Sequence, residues 1–326
     1  MRPLVPYSLS SLVCMLRGAA LVFPSEGFDP LKTLMAIEAE RCTALHGVPT
    51  MFIGQLNHPE FARFDLTSLR TGAMAGAPCP IEVMRQCVEK MHLTELIGGL
   101  GMTETTAGSF ITCWDDPIER RVETVGRIKP HVEAKVIDGR GRITPLGEPG
   151  ELCVRGYGVM RGYWNDPEGT RQAIDEAGWM HTGDLVVVDT EGYCLIKGRI
   201  KDIIIRGGEI ISPTEVEDLL YQHGSIAEAH VIGVPDDGYG EEVCAWIRLK
   251  PSLQMEEEEI LEFCRGRIAT YKVPRVIRFV DHFPTTASGK VQKFIIREMM
   301  RRRSTRQRPA ETGGRTRRKQ WVTSDG

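Results

Sequence analysis

Four short polar segments contain the residue types that can bind a nucleotide and stabilise developing charge. In the first, residues 101–106, Thr103 and Glu104 directly follow a predicted strand. Open α/β sheets bind their ligands at the carboxyl ends of strands. A carboxylate there can hold Mg²⁺, a hard ion that prefers oxygen ligands, while a threonine hydroxyl donates to a phosphate. The structural alternative is a helix-capping threonine with a glutamate in the first turn.

The second and third segments supply a carboxylate and a guanidinium that could bind a sugar. Asp184 follows a Thr-Gly pair in residues 179–184, and a carboxylate after such a turn can accept both ribose hydroxyls. Arg199 can add a fork of donors to the same sugar or to a phosphate. The alternative for Asp184 is an Asx-type turn. We interpret His181 as a packing residue with no catalytic part.

The fourth segment, residues 284–290, ends in Ser-Gly-Lys. A lysine on a small, flexible turn can be brought to a developing negative charge, where it acts as an electrostatic clamp in acyl or phosphoryl transfer. A surface lysine is the alternative. Val291 follows Gly289-Lys290, so the segment is not a Walker phosphate loop.

Residues 198–217 are the stretch around which the chain is organised. A β-branched strand at residues 203–205 leads to the Gly207-Gly208 turn. A helix is predicted behind Ser212-Pro213, with Ser212 and Glu215 forming a capping box. The bare glycine turn suits a polar ligand that approaches main chain. A hairpin inside an ordinary sheet explains the same residues equally well.

The elements around these segments change character along the chain. The first part alternates strands and helices, which is typical of a mostly parallel, layered α/β sheet. From residue 125 the pattern favours antiparallel strands, and after residue 201 a smaller α+β unit follows. We therefore predict an α/β protein with a partial layered large domain, an antiparallel β subdomain and a smaller α+β C-terminal lid domain. The predicted bounds are 1–200 and 201–303, with a disordered basic tail at 304–326.

Composition narrows the class of protein. The net charge of −3 divides into +7 from residue 301 onward and −10 for the rest, and this acidic body indicates no nucleic-acid partner. The nine scattered cysteines include no Cys-x-x-Cys pair, which argues against a disulfide framework or a zinc site and for a reducing compartment. We expect a cytoplasmic protein. The alternative is mitochondrial, because the first 25 residues contain arginine and serine but no acid.

Taken in order, the segments resemble the adenylate-forming (AMP-binding) enzymes, which include acyl-CoA synthetases, and most closely the medium-chain fatty acyl-CoA synthetase branch. Seven motifs in family order carry the resemblance across about residues 1–300. They are Gly72-Ala73-Met74-Ala75-Gly76-Ala77-Pro78, Gly101-Met102-Thr103-Glu104, Gly150-Glu151-Leu152-Cys153-Val154-Arg155-Gly156, Gly162-Tyr163-Trp164, His181-Thr182-Gly183-Asp184-Leu185, Gly198-Arg199-Ile200-Lys201-Asp202 and Ser288-Gly289-Lys290.

The resemblance implies a fatty acid–CoA ligase that uses ATP, Mg²⁺ and CoA and passes through an acyl-adenylate. It implies catalytic roles for Lys290, Thr103 and Glu104, with Glu104 holding the metal. The implied residues for the nucleotide are Gly76, Ala77, Pro78, Gly98, Gly99, Leu100, Thr103, Asp184, Arg199 and Lys290. Lys201 is implied as the hinge of the small domain, and Gly207, Gly208 and Glu209 as the lining of the CoA channel.

Two departures from the family pattern bear on the expected activity. The Ser/Thr/Gly-rich phosphate loop, upstream in the family, is absent, so we expect a chain that begins within the large domain and lacks a main-chain cradle for phosphates. Leu100 replaces an aromatic residue that stacks on adenine, at a cost of about 1 kcal/mol. A non-catalytic module that binds AMP, acyl-adenylate or CoA is the alternative function. We also expect self-association through sheet surface left open by the truncation.

Overall fold

The computed structural model describes residues 11–106, 108–286 and 289–307. The helices are α1 (Val13–Arg17), α2 (Pro30–Ala39), α3 (Pro49–Leu56), α4 (Ile81–Lys90), α5 (Ile118–Glu123), α6 (Pro167–Ala173), α7 (Pro213–Tyr221), α8 (Glu257–Cys264) and α9 (Lys293–Gln307). The strands are β1 (Ala44–Gly47), β2 (Thr71–Ala75), β3 (Glu95–Leu100), β4 (Phe110–Ile111), β5 (Arg127–Ile128), β6 (Val132–Ile137), β7 (Gly150–Gly156), β8 (Met180–Val188), β9 (Cys194–Arg199), β10 (Ile204–Arg206), β11 (Glu209–Ile211), β12 (Ile226–Asp236), β13 (Gly240–Leu249) and β14 (Val276–Phe279).

The first sheet has the order β1-β2-β3-β4-β5. Strands β1, β2 and β3 are parallel, and β4 and β5 extend the sheet in antiparallel fashion. The register pairs Met74 with Gly98 and Ala75 with Gly99. The carboxyl ends of β2 and β3 therefore lie side by side, and the polar segments that follow these two strands reach the same edge of the sheet.

Two further sheets follow along the chain. The second, β6-β7-β8-β9, is antiparallel throughout, as predicted. The third has the order β11-β10-β13-β12, with β14 parallel to β13. Each sheet packs on its own cluster of buried apolar side chains. The predicted α/β architecture with an antiparallel subdomain and a smaller C-terminal unit is confirmed, while the domain bounds 1–200 and 201–303 stay a prediction.

Helix α7 of the third sheet's unit docks on the first unit. Tyr221, at its last turn, is 8% exposed and belongs to the apolar cluster of the first sheet, together with Phe52 and Val83. Asp218, one turn earlier, accepts a hydrogen bond from the N–H of Ile81 at the start of α4. Pro80 precedes α4 and gives it no side-chain cap, so a carboxylate from another unit satisfies one of its free N–H groups.

Helix starts follow the sequence signals in most cases, with one correction. Asp29 caps α2 by accepting from the Lys32 N–H, and Pro213 occupies the first turn of α7 as predicted. The predicted capping box at Ser212 is wrong, because the hydroxyl of Ser212 donates to the carbonyl of Lys197 instead. Its intended partner, Glu215, forms an ion pair of 2.6 Å with Lys272.

Three other predictions need correction. The Thr182-Gly183 pair is part of β8 rather than a turn before a strand. Strand β3 continues through Leu100, whereas the sequence predicts a strand over residues 93–98. The last helix continues through Gln307 rather than ending at residue 303. The remainder of the predicted disordered tail, residues 308–326, lies outside the described residues.

All nine cysteines are free thiols in the structure. Cys153 and Cys194 are buried in the second sheet, and burial raises the pKa of each thiol to about 12. Among the described helices, none combines the length and the apolar composition needed to cross a membrane.

Candidate functional site

The predicted adenine-binding segments lie on neighbouring strands. Gly76 follows β2 with a φ of 91°, a left-handed conformation that favours glycine. Gly98 and Gly99 lie in β3, which pairs directly with β2. A Cβ on Gly99 would come to 3.0 Å from the Phe110 carbonyl oxygen, so close strand packing also favours glycine there. Leu100 packs with the apolar cluster of the second sheet.

Thr103 and Glu104 lie in a single 3-10 turn, Thr103–Thr105, that follows β3. The N-cap of this turn is Met102, so Thr103 is not its capping residue. Glu104 is fixed at both ends: its carbonyl accepts from the Met160 N–H at 2.8 Å, and its Oε1 accepts from the Tyr163 hydroxyl at 3.1 Å. The segment after β7 therefore clamps the turn that carries the candidate metal ligand.

Asp184 and Arg199 are cross-strand partners on β8 and β9. Nε of Arg199 lies 3.2 Å from Oδ1 of Asp184, and the aspartate is only 6% exposed while the arginine side chain is about half exposed. Burial raises the pKa of Asp184, and the Arg199 guanidinium opposes that rise. The pair thus presents a buried carboxylate beside an accessible cation, an arrangement that suits a sugar joined to a phosphate.

Lys290 approaches this region from the C-terminal unit. Its Cε would lie 3.4 Å from a Cβ built on Gly76, and its Nζ 3.8 Å. The turn that carries it is anchored by a 2.8 Å hydrogen bond from the Thr50 hydroxyl to the Gly289 carbonyl. Burial lowers the pKa of Lys290, Arg199 adds to that shift, and Glu104 opposes it. Ala287 and Ser288 of this turn lie outside the described residues.

The structure therefore brings together side chains that are far apart in the sequence. Gly76, Glu104, Arg199 and Lys290 converge where the first and second sheets meet the C-terminal unit. The cluster offers two cations, a carboxylate and open main chain. Such a set could bind a polyanion, because the cations would neutralise its charge and the carboxylate could hold a metal ion.

The oxygen atoms of Glu104 and Thr103 fit a magnesium ion as ligands. Glu104 supplies a carboxylate with one oxygen, Oε1, already hydrogen-bonded to Tyr163. The second oxygen, Oε2, is the candidate metal ligand, and Thr103, an exposed residue, lies on the same turn. Magnesium is commonly held by one or two carboxylates, with substrate phosphates and water completing its shell.

The predicted hinge and CoA segments follow Arg199 along the chain. Lys201 is exposed in the 3-10 turn Ile200–Asp202, which links β9 to β10. Gly207 and Gly208 form the turn between β10 and β11, both at positive φ, and Glu209 begins β11. The Gly207 N–H donates to the Tyr239 carbonyl at 2.8 Å. The hairpin reading of this turn is thus correct, and the ligand-binding reading remains a prediction.

Sequence reasoning missed several residues that support the site. Tyr163 contacts Glu104 across 59 residues of sequence, and Glu151 contacts both His181 and Gly183 from the neighbouring strand. One ligand atom each of Glu151, Cys153 and His181 lies within 4.8 Å of the others, a group that the search for Cys-x-x-Cys spacing could not find. The Gly-Tyr-Trp and Gly-Glu-Leu motifs were the available signals.

Two family comparisons match most of the chain. Residues 6–164 match the family described as "AMP-binding enzyme", and residues 215–290 match "AMP-binding enzyme C-terminal domain". Together these ranges contain the cluster formed by Gly76, Glu104 and Lys290.

Medium-chain acyl-CoA ligases are similar to most of this chain. The medium-chain acyl-CoA ligase ACSF2, mitochondrial, of Danio rerio is 50% identical over 288 residues, which are 88% of this chain and 48% of that protein. The human ACSF2 is 44% identical over 293 residues, or 90% of this chain and 48% of that protein. The chain spans about half the length of the curated relatives it matches.

Solved structures show the same fold. The anthranilate CoA ligase AuaEII in complex with anthranoyl-AMP aligns with a TM-score of 0.82 at 31% identity, over 88% of this chain and 55% of that one. The ATP-bound MatB from Rhodopseudomonas palustris aligns with a TM-score of 0.80 at 32% identity, over 91% of this chain and 58% of that one.

Proposed function

This chain belongs to the AMP-binding enzyme family, and from that premise we propose that it acts as a fatty acid–CoA ligase. The observation that carries the proposal is the convergence of Lys290, Glu104 and the Asp184–Arg199 pair beside Gly76. Similarity to medium-chain acyl-CoA ligases supports the choice of a fatty acid as the carboxylate.

The reaction has two steps that share one site. A carboxylate oxygen of the fatty acid attacks the α-phosphorus of ATP, the bond between the α- and β-phosphates breaks, and pyrophosphate leaves. The CoA thiol then loses its proton and attacks the acyl carbon. The bond between that carbon and AMP breaks, which releases acyl-CoA and AMP.

The nucleotide is assigned to the edge where β2 and β3 end. Gly76, Ala77 and Pro78 would lie on one side of adenine, with Gly98, Gly99 and Leu100 on the other. Asp184 would accept from the ribose hydroxyls, since a buried carboxylate gains most from two directed donors. Arg199 holds that carboxylate at 3.2 Å and keeps donors free for the sugar or phosphate.

Lys290, Thr103 and Glu104 would act on the phosphates. A lysine whose ammonium is already partly desolvated binds a developing negative charge more strongly than one in water. Glu104 would hold Mg²⁺, which when bound neutralises charge on the leaving pyrophosphate. The Thr103 hydroxyl would donate to a phosphate oxygen.

The second step is assigned to the glycine turn. Gly207, Gly208 and Glu209 would line a channel for the narrow pantetheine arm of CoA, because a glycine turn lets a thin chain pass along backbone. This requires the C-terminal unit to turn about Lys201 so that the β10–β11 hairpin faces the site. A single site that serves two reactions needs such a moving part.

The finer assignments follow the same similarity. We favour a medium-chain acid and a cytoplasmic location, with the mitochondrion as the alternative because ACSF2 is named mitochondrial. Self-association is the expected behaviour of the exposed apolar residues near the start of the described chain, such as Leu16 and Phe23, each 75% exposed.

The test supplies the acyl group in two forms. Octanoyl-CoA formation is measured from ATP, Mg²⁺, octanoate and CoA, and separately from preformed octanoyl-AMP and CoA. Product from both substrates is expected of a ligase. Product from octanoyl-AMP alone limits this chain to the thiol step. Product from neither, with AMP binding retained, contradicts the proposal and favours a binding module.

A further inference from the structure

We infer that Glu151, oriented by His181, is a positioning residue that fixes the backbone carrying Asp184 and so sets the affinity of the nucleotide site. The inference rests on the proposed function, because it takes Asp184 as the residue that binds the ribose. It gives a structural role to two side chains that act on the backbone at Gly183 rather than on the nucleotide itself.

The backbone at Asp184 departs from regular strand pairing. Glu151 on β7 pairs with Leu185 on β8. The next pair joins Cys153, two residues further along β7, to His181, which lies four residues before Leu185 on β8. Strand β8 therefore holds two more residues than β7 over this interval, and residues 182–184 bulge opposite Leu152. Gly183 has a φ of 69°, in the left-handed region. A bulge of this kind re-aims the side chain that it carries.

Three hydrogen bonds hold the bulge in place. The Thr182 hydroxyl donates to the Leu152 carbonyl at 2.8 Å and accepts from the Asp184 N–H at 3.2 Å. The Gly183 N–H donates to Oε1 of Glu151 at 3.2 Å. The bulge removes the strand-pairing acceptor of the Gly183 N–H, and the Glu151 carboxylate takes its place. Hydrogen bonds to a charged acceptor are stronger than those to a neutral one.

His181 fixes the orientation of Glu151. Its Nδ1 lies 3.0 Å from Oε2, the oxygen that Gly183 does not use. Glu151 and Cys153 are two residues apart on β7 and so share a face of the sheet, and His181 is the cross-strand partner of Cys153. Both oxygens of Glu151 are therefore engaged, in a region where the two side chains are only 23% and 32% exposed.

The position of Asp184 depends on this arrangement because its neighbours leave it little freedom. Its carboxylate is buried and must lie 3.2 Å from Arg199 on the other side of β8. Hydrogen bonds weaken steeply as their angles depart from linearity. A bulge released at Gly183 would therefore turn the carboxylate away from ribose hydroxyls while leaving the strand itself paired.

A divalent cation is the competing use of the same side chains, since Glu151, Cys153 and His181 offer ligand atoms within 4.8 Å of one another. The two uses predict different behaviour for Cys153. It is a ligand in the metal site, whereas in the positioning role Glu151 holds the Gly183 N–H and Cys153 only contacts His181, with Sγ 3.6 Å from Nδ1. Cys153→Ser should therefore leave the nucleotide site unchanged if the inference is right.

The first experiment measures AMP affinity of the full chain by calorimetry. Glu151→Ala should weaken binding about tenfold, the usual size of losing one charged hydrogen bond. His181→Ala should weaken AMP binding about threefold, which is half of the Glu151→Ala effect in free energy. His181→Asn should restore the affinity, since an amide nitrogen can replace Nδ1. Glu133→Gln is the matched control, because it breaks the Glu133–Arg155 ion pair on the same sheet. Affinity in Glu151→Ala equal to that of wild type overturns the inference, and so does a loss in Cys153→Ser as large as in Glu151→Ala.

The second experiment asks whether Glu151 acts through Asp184. In the Asp184→Ala background, Glu151→Ala should cause no further loss, because the side chain that it positions is gone. Full additivity of the two losses overturns the inference. Amide exchange of residues 181–185 should accelerate in Glu151→Ala but not in Glu133→Gln.

These measurements separate the inference from the proposed function. Wild-type chain that does not bind AMP contradicts the proposed function. In that case amide exchange still tests the structural role of Glu151. Unchanged exchange of residues 181–185 in Glu151→Ala shows that Glu151 does not fix the bulge. AMP binding that depends on Asp184 but not on Glu151 contradicts the inference and leaves the proposed function standing.

Discussion

The hydroxyl of Tyr163 donates a hydrogen bond of 3.1 Å to Oε1 of Glu104, which it reaches from the loop that follows β7. Two more bonds join the same segments: Met160 N–H to the Glu104 carbonyl at 2.8 Å, and the Thr106 hydroxyl to the Gly158 carbonyl at 2.6 Å. The first and second sheets are thus tied together at the turn that carries the candidate metal ligand.

Tyr163→Phe tests the value of this bond. Loss of the hydroxyl frees the Glu104 carboxylate to rotate, so we expect Mn²⁺ affinity in the presence of ATP to fall about tenfold, as for other residues that orient a metal ligand. Electron paramagnetic resonance of free Mn²⁺ gives the affinity directly. Tyr157→Phe, on an exposed tyrosine of the same loop, is the control. Equal Mn²⁺ affinity in both variants would show that Tyr163 does not orient Glu104.

Lys290→Ala should separate the two half-reactions. Loss of the ammonium should slow adenylate formation by roughly 100-fold, the usual effect of removing one group that stabilises developing charge. Octanoyl-CoA formation from preformed octanoyl-AMP should stay within a few-fold of wild type. Pyrophosphate exchange measures the first step. Lys90→Ala, on the exposed end of α4, serves as the control, and an equal loss in both half-reactions would contradict the assignment.

The pH dependence of the first step follows from the same lysine. Burial and Arg199 lower the pKa of Lys290, so its charge is lost at a lower pH than that of a free lysine. Adenylation should therefore decline on the alkaline side before the ordinary lysine range is reached, and Lys290→Ala should lack this limb. Pyrophosphate exchange measured as a function of pH, with octanoyl-AMP thiolysis as the reference, tests the expectation.

Gly208→Ala tests the glycine turn. A Cβ at this position meets no atom within 4 Å, so the substitution adds only the strain of a positive φ and one methyl group on the open side of the hairpin. If CoA passes there, thiolysis of octanoyl-AMP should fall several-fold while pyrophosphate exchange is unchanged. Gly192→Ala is the matched control, since it too has positive φ and open space in another turn. A similar small effect of both substitutions would indicate a structural hairpin only.

Asp218→Asn should change how stability depends on pH. Burial, with Glu217 adding to it, raises the pKa of Asp218 to about 7. The folded chain then binds more protons than the unfolded chain between about pH 4 and pH 7, so the free energy of unfolding falls as pH rises through that window. The total loss is on the order of 4 kcal/mol. Urea unfolding at several pH values should show this slope in wild type and in Asp115→Asn, an exposed control, but not in Asp218→Asn.

Local signals were sufficient for most elements. Helix α7 begins at Pro213 as predicted, because proline suits the first helical position regardless of distant contacts. The failures are places where a distant residue decides. Ser212 resembles an N-cap, but the carbonyl of Lys197 takes its hydroxyl.

The site was predictable as a set of residues but not as an arrangement. Family resemblance identified Glu104, Asp184, Arg199 and Lys290 one by one. Their convergence depends on contacts such as that of Thr50 with Gly289, which are 239 residues apart. The bulge at Gly183 could not be read from the sequence either, because a Thr-Gly pair is equally typical of a turn and only the register of β7 distinguishes the two.

Under the proposed function, in which acyl-adenylates form on this chain, the burial of Cys153 and Cys194 has a consequence. These mixed anhydrides acylate any thiolate within reach, and both thiols lie in the sheet that carries Asp184. With a pKa of about 12, each is ionised to the extent of only about one part in 10⁵ at pH 7. Cys153 and Cys194 are thereby kept from competing for the activated acyl group with the thiol that arrives from solution.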